Sequence, residues 1–243
     1  MIEKRHKLKV NLGGIVPLST VDMPGIASTV IFFRGCPLRC PHCQNKELQT
    51  GTHYEDLSIL KAKVKAGLPF ISGMVFSGGE PLMQPEPLIH MAHLAKELEL
   101  AVGVETCGYY PDHLAQLIEE GVLDRVFLDV KAALKDPEYA RATGREVVFP
   151  RVKECLKICQ ENEIPMEVRT TLFPEMPSQK EVDEIVQYLS EMGIKNLVLQ
   201  QGLPVEGIEK FKPVSEDYIA SLARSAKDRG INAKYRCKGV ERD

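Results

Sequence analysis

Short apolar, often β-branched runs alternate with amphipathic stretches from Ser28 to Arg236, and this alternation constrains the fold more than any other feature of the chain. Strands are expected at Ser28–Arg34, Gly73–Ser77, Ala101–Thr106, Arg125–Val130, Pro165–Thr171, Asn196–Gln200 and Asn232–Arg236. Helices are expected at Glu55–Lys65, Glu86–Leu98, Pro111–Glu120, Val147–Glu161 and Ser215–Arg229. Leu88, Ile89, Met91, Ala92 and Ala95 share one face of the second of these helices. Ser178-Gln179-Lys180-Glu181 reads as a capping box opening another helix, with Val182, Ile185, Val186 and Leu189 as its buried stripe and Gly193 as its stop. Repeated βα units of roughly thirty residues call for parallel strands joined by right-handed crossovers. About six or seven such units fall short of the eight that close a barrel. The expected class is therefore α/β, with parallel strands in an open sheet or in a partial (β/α)6-type TIM-like barrel. A chain of 243 residues can bury a full core as one large domain or as two small ones; a single domain over 1–243 is expected, with an N-terminal extension over 1–27 and the β/α core over 28–237.

Charge and composition narrow the function classes. The 31 Lys and Arg residues nearly balance 34 Asp and Glu, giving −3, and no basic run exceeds Lys4-Arg5-His6-Lys7. Nucleic acid is not an expected partner, because phosphate neutralisation needs clustered cations. No apolar run approaches the roughly twenty residues of a membrane span. The charged stretch Met1–Val10 does not read as a secretory leader, and seven cysteines is an odd number for a disulfide framework. A reduced, cytoplasmic setting is expected.

Three of those cysteines, Cys36, Cys40 and Cys43, fall within eight residues directly after the first expected core strand, and no fourth lies nearby. Three thiolates can hold a cubane iron–sulfur cluster while leaving its fourth iron open to a small molecule. A structural zinc site would want four N or S ligands, commonly as two separated pairs, whereas His42 sits between two of the cysteines. A ferredoxin-type carrier would complete the cluster with a fourth cysteine, and the nearest, Cys107, is far along the chain. Cys155 and Cys159 are spaced as neighbours on one buried helix face and read as core. Cys107 and Cys237, at expected strand ends, are assigned no role.

Two further groups of residues converge on the ends of the strands. Residues two apart on a strand share a face, so Asp129 and Lys131 point one way together, as do Glu167, Arg169 and Thr171. A packed barrel interior would be filled by Val, Ile and Leu. Charged faces on successive strands instead indicate a wet, substrate-lined interior, unless they only pair with one another at a rim. Ser77-Gly78-Gly79-Glu80-Pro81 follows the strand Gly73–Phe76, where glycines let the backbone come close to a ligand and Glu80 adds an anionic acceptor, although the motif alone also fits a plain turn.

Cys-x3-Cys-x2-Cys after one strand, with His42 before the last cysteine, and Gly-Gly-Glu after the next strand resemble the radical S-adenosylmethionine superfamily. The run from Gly13 to Gly25, with Glu105-Thr106-Cys107-Gly108, Leu128-Asp129-Val130-Lys131 and Val168-Arg169-Thr170-Thr171, is similar to the glycyl-radical-enzyme activases. Within that group it stands nearest the activating proteins of anaerobic ribonucleoside-triphosphate reductase. The resemblance spans Leu12 to Arg236.

The resemblance implies that Cys36, Cys40 and Cys43 ligate one [4Fe–4S] cluster and that the amino and carboxylate groups of S-adenosylmethionine chelate its open iron. It gives Gly78, Gly79 and Glu80 the methionine ammonium and sets His42 against the adenine. Glu105, Asp129, Lys131 and Arg169 become candidates for the ribose, an adjacent cation or the methionine carboxylate, for which a guanidinium is a natural clamp. It further implies a reductant such as flavodoxin or ferredoxin, and a 5′-deoxyadenosyl radical that takes a hydrogen atom from a glycine of the partner enzyme. No cysteine lies between Cys43 and Gly78, so a single cluster is expected. Two other functions stand beside this one. A radical enzyme acting on a small molecule or peptide, such as a deazapurine synthase, would hold its substrate in a closed pocket. A non-catalytic electron carrier would account for the cysteines but not for Gly78-Gly79-Glu80 or the charged strand faces.

Overall fold

The computed structural model describes residues 8–174, 176–205 and 212–243, so the basic run at Lys4–Lys7 lies outside the described residues. The chain forms two compact units. The first comprises the described residues of Met1–Pro37, Glu47–Glu105 and Asp112–Arg125, and the second Leu38–Lys46, Thr106–Pro111 and Val126–Asp243.

The first unit is built from β1 (Lys9–Ser19), β2 (Ser28–Phe33), β3 (Tyr54–Asp56), α1 (Leu57–Gly67), β4 (Gly73–Gly78), α2 (Pro85–Glu97), β5 (Ala101–Thr106) and α3 (Pro111–Glu119). Its strands run in the order β5-β4-β2-β1-β3. β4 is parallel to both β2 and β5, while β1 is antiparallel to β2 and to β3. β2 and β4 are apolar on both faces, as central parallel strands are, and Val30, Ile31, Phe33, Met74, Val75 and Phe76 are all fully buried. Phe33 and Phe76 meet edge to face with ring centres 6.0 Å apart. Truncating Phe76 to alanine removes a fully enclosed ring, and we expect a loss of about 3–5 kcal/mol of stability, read from a lower urea midpoint.

The expected N-terminal extension contains β1, which a Gly- and Pro-bearing sequence did not suggest as a strand. Gly13 answers to packing: a Cβ there would come within 3.0 Å of the Phe32 carbonyl oxygen and 2.9 Å of Leu48 Cδ2. Pro17 falls in an irregular stretch of the β1–β2 ladder, between Val16 and Ser19, where the lost N–H donor is tolerated. The helix expected from Glu55 starts at Leu57, because Asp56 caps it by accepting a hydrogen bond from the Ser58 amide at 2.8 Å and the residues before it join β3.

The second unit holds β6 (Arg125–Asp129), α4 (Glu138–Thr143), α5 (Phe149–Glu161), β7 (Met166–Leu172), α6 (Gln179–Glu191), β8 (Asn196–Gln201), α7 (Glu216–Asp228), β9 (Asn232–Cys237) and β10 (Val240–Arg242). The strand order is β10-β9-β8-β7-β6, parallel except for the β9–β10 hairpin. The capping box at Ser178 and Glu181 is formed, and Ser215 caps α7 by accepting from the Tyr218 amide. Helix α5 starts at Phe149 rather than Val147, whose φ of +57° cannot belong to a helix. α4 and β10 are too short to show a period in sequence. Val152, Cys155, Leu156 and Cys159 form the buried stripe of α5, and burial pushes the Cys159 thiol up to about 12. Among the described residues no helix is long and apolar enough to cross a membrane.

Candidate active site

In the first unit, the chain leaving β2 is fastened on several sides before it reaches Cys36. The Arg34 amide donates to the Asn11 carbonyl at 2.9 Å, the Gly35 amide to Leu48 at 2.7 Å and the Cys36 amide to Gln49 at 3.1 Å. Arg34 Nη1 donates to the Glu47 carbonyl at 2.7 Å, and the Gln84 amide group donates to the carbonyls of Arg34 and Asn11. The loop that leads to Cys36 is thus held by backbone bonds and by the side chains of Arg34 and Gln84.

Gly78, Gly79 and Glu80 lock onto this same loop. The Gly79 amide donates to the Phe33 carbonyl at 2.8 Å and the Glu80 amide to the Gly35 carbonyl at 2.9 Å. A Cβ on Gly78 would lie 2.3 Å from the Phe33 carbonyl oxygen, and one on Gly79 would lie 2.3 Å from that of Gly35. Gly78 also has φ +114°, a region that side-chain-bearing residues rarely adopt. What the two glycines permit in this structure is close packing of their backbone against the end of β2 and the cysteine loop. Glu80 is fully buried, and its Oε1 accepts from the Leu82 amide at 3.0 Å, capping the short turn Pro81–Met83. Glu105, on β5, accepts a 2.5 Å hydrogen bond from the Ser77 hydroxyl on β4. Sequence reasoning missed Ser77, although its place directly before Gly78 was the available signal.

In the second unit, Cys40 and Cys43 are joined in one turn, with the Cys43 amide donating to the Cys40 carbonyl at 3.3 Å. The preceding Arg39 amide donates to the Thr143 carbonyl at 2.8 Å, at the end of α4. Gly144 closes that helix with φ +65°, and a Cβ there would meet the Arg39 carbonyl oxygen at 2.5 Å. The His42 ring stacks on Phe173, centres 4.5 Å apart and planes 26° from parallel. Nothing local in the sequence marks Phe173, since the contact links residues far apart in the chain. Cys36, Cys40 and Cys43 are each partly exposed, whereas Cys107, Cys155, Cys159 and Cys237 are buried.

The charged residues of β6 and β7 lie on one face, as their alternation indicated. Asp129 and Arg169 are register partners on adjacent parallel strands. Lys131 Nζ bonds Asp129 at 3.0 Å, and Arg169 Nε bonds Glu167 at 2.7 Å with its guanidinium 4.0 Å from the centre of the Phe127 ring. Burial works against the Lys131 ammonium, but Asp129, Cys40 and Cys107 outweigh it, so its pKa is held well above the ordinary lysine range. The Lys131 amide also donates to the Tyr139 hydroxyl at 3.4 Å, and burial, the largest cause, raises the pKa of that phenol. The ion pairing weighed as the alternative for this face is present, and it leaves Asp129 and Lys131 only partly buried.

The donor set fits an iron–sulfur cluster. Three partly exposed thiols stand on a short loop, backbone bonds fix the chain at Gly35, Cys36 and Arg39, and the Lys131 ammonium lies within electrostatic reach of Cys40. Among the described residues no three or more His, Cys, Asp and Glu side chains are gathered to hold a single metal ion. A cubane asks less of each point, because each thiolate takes its own iron.

Comparison with known proteins makes the class definite. The model of the radical SAM superfamily matches residues 30–189. A protein of Methanocaldococcus jannaschii, provisionally named a glycyl-radical enzyme activating enzyme, is 30% identical over 90% of this chain and 93% of its own. The pyruvate formate-lyase-activating enzyme of Clostridium pasteurianum is 30% identical over 84% of this chain and 86% of its own. A radical SAM methyltransferase from Sphaerobacter thermophilus shares the fold, with a TM-score of 0.74, 18% identity, and coverage of 88% of this chain and 67% of that one. The chain belongs to the radical SAM superfamily. Its cofactors are accordingly a [4Fe–4S] cluster and S-adenosylmethionine, and its α/β architecture with parallel strands is the class expected from the sequence.

Proposed function

We propose that this chain is an activase that installs a glycyl radical on a partner enzyme, and that the partner is anaerobic ribonucleoside-triphosphate reductase. The observation that carries the activase reading is the near full-length match to a relative named for that activity. The choice of the reductase rests on the resemblance carried by the run from Gly13 to Gly25 together with Glu105-Thr106-Cys107-Gly108, Leu128-Asp129-Val130-Lys131 and Val168-Arg169-Thr170-Thr171. The Clostridium relative is named for pyruvate formate-lyase, which is the other partner to test.

Cys36, Cys40 and Cys43 hold the cluster. The backbone of Gly78 and Gly79, with Glu80, receives the methionine ammonium, and the His42 ring, already stacked on Phe173, supports the adenine. Arg169 clamps the methionine carboxylate, its guanidinium oriented by Glu167 and Phe127. Asp129 and Glu105 take the ribose hydroxyls or an adjacent cation, and Lys131 adds positive charge beside them. When bound, the cluster supplies one electron, from a donor such as flavodoxin or ferredoxin, that cleaves S-adenosylmethionine to methionine and the radical that abstracts the glycine hydrogen. The protein's part is to orient the two cofactors, neutralise their charges and exclude water.

The test is anaerobic: the iron- and sulfide-reconstituted protein is mixed with a chemical reductant, S-adenosylmethionine and either purified enzyme, and electron paramagnetic resonance is recorded. A glycyl radical on the reductase that requires S-adenosylmethionine is expected. A radical on pyruvate formate-lyase alone would keep the activase and change its partner. No radical on either would remove the reading.

A further inference from the structure

The charged face of the second unit continues past Asp129 and Arg169 toward the ends of β7, β8 and β9. Thr171 is the register partner of Gln200, and Gln200 that of Arg236, so the three side chains stand in one row across adjacent strands. Thr171 lies two residues beyond Arg169 on β7 and so shares its face. The row stands one step nearer the strand ends than the register pair Asp129 and Arg169. All three are partly exposed, and Thr171 Oγ1 lies 3.4 Å from Gln200 Oε1.

Arg236 closes a ladder of alternating charge. Its Nη2 donates to Glu241 at 3.0 Å, and Lys234 Nζ bonds the other oxygen of the same carboxylate at 3.1 Å. Glu167, the partner of Arg169, acts on Lys234 in turn. Burial opposes the Glu241 carboxylate, but Lys234 and Arg236 outweigh it and hold its pKa low. Glu241 occupies one edge of the guanidinium, whose fixed fork has five N–H donors in all. A hydroxyl, a primary amide and a partly neutralised guanidinium in one row offer what a peptide backbone requires: donors for carbonyls and an acceptor for an amide. Adjacent strands lie roughly 4.8 Å apart, so three of them span about 10 Å, the length of about three residues of extended chain.

We propose that Thr171, Gln200 and Arg236 form the seat for the backbone of the partner polypeptide, with Gln200 pairing one peptide unit and Arg236 donating to a neighbouring carbonyl. This rests on the activase reading. A small anionic metabolite would instead call for clustered, unneutralised cations, and the Glu241 carboxylate sits where it would repel one.

The seat is tested by titrating the protein, anaerobically and by calorimetry, with anaerobic ribonucleoside-triphosphate reductase and in parallel with pyruvate formate-lyase, using wild type and the variants T171V, T171S, Q200L and R236L. T171V, Q200L and R236L should weaken binding of the wild type's partner by tenfold or more, with melting curves that still show a folded protein, while T171S should stay within about threefold. Glu241 keeps Lys234 as a partner in R236L, which makes that variant a fair test of folding. Q200L and R236L binding within twofold of wild type would overturn the seat while leaving the activase in place. Wild type that binds neither enzyme and forms no glycyl radical would overturn the function, and the seat with it.

Discussion

Cys40→Ala is expected to lose both iron and chemistry: reconstituted protein should hold substantially less iron per chain than wild type, and formation of 5′-deoxyadenosine should fall below detection. Two thiolates cannot replace three on a cubane, and the four other cysteines are buried. Cys107 is buried at 7% exposure, while Cys155 and Cys159 lie in the core of α5. The matched comparison is Cys159→Ala, which deletes a fully buried thiol that burial pushes up to about 12 and so keeps protonated. That variant should lose about 1 kcal/mol of stability, since a small buried group is removed, and keep wild-type iron. Iron content and product assayed together separate the two, and equal iron in Cys40→Ala and wild type would remove the ligand assignment.

Gly79→Ala should be nearly as damaging without touching any of the three cysteines proposed to ligate the cluster. The added methyl carbon would lie 2.3 Å from the Gly35 carbonyl oxygen and 2.9 Å from that of Leu48, both backbone atoms that cannot swing aside. The Gly35 carbonyl is also the acceptor for the Glu80 amide, so relieving the clash shifts the loop entering Cys36 and the turn that Glu80 caps. Overpacking of this kind costs about 1–3 kcal/mol. The larger effect should fall on function, because a loop displaced by an ångström no longer presents its thiol correctly. We expect at least a tenfold loss of 5′-deoxyadenosine formation together with lowered iron retention. Gly14→Ala is the control, since nothing lies within 4 Å of a Cβ there, and it should stay within roughly 0.5 kcal/mol of wild type.

The parallel core and the cysteine loop were legible in sequence because each depends on local pattern. Doubly buried runs such as Ser28–Phe33 declare central strands, Ser178 and Glu181 declare a helix start, and the three cysteines sit close enough to be read as one group. The faces of β6 and β7 were equally plain, since alternation alone put Asp129 with Lys131 and Glu167 with Arg169. What pairing decides was not legible. β1 looks like a glycine- and proline-bearing loop until β2 supplies its ladder. Nor does the sequence around Gly78 and Gly79 show that a Cβ there would meet the end of β2, Gly35 and Leu48. Phe173 against His42, Ser77 against Glu105 and Thr143 against Arg39 join positions that no short window of sequence contains together.

The central claim is that the three cysteines and the Gly-Gly-Glu loop serve one catalytic centre that cleaves S-adenosylmethionine. The most direct measurement is the electron paramagnetic resonance of the reconstituted, reduced protein with and without S-adenosylmethionine, with 5′-deoxyadenosine assayed in the same samples. A cluster signal that shifts when S-adenosylmethionine is added, accompanied by 5′-deoxyadenosine, is the result predicted here. A cluster that forms and reduces but neither shifts nor yields the nucleoside would contradict it and leave an electron carrier.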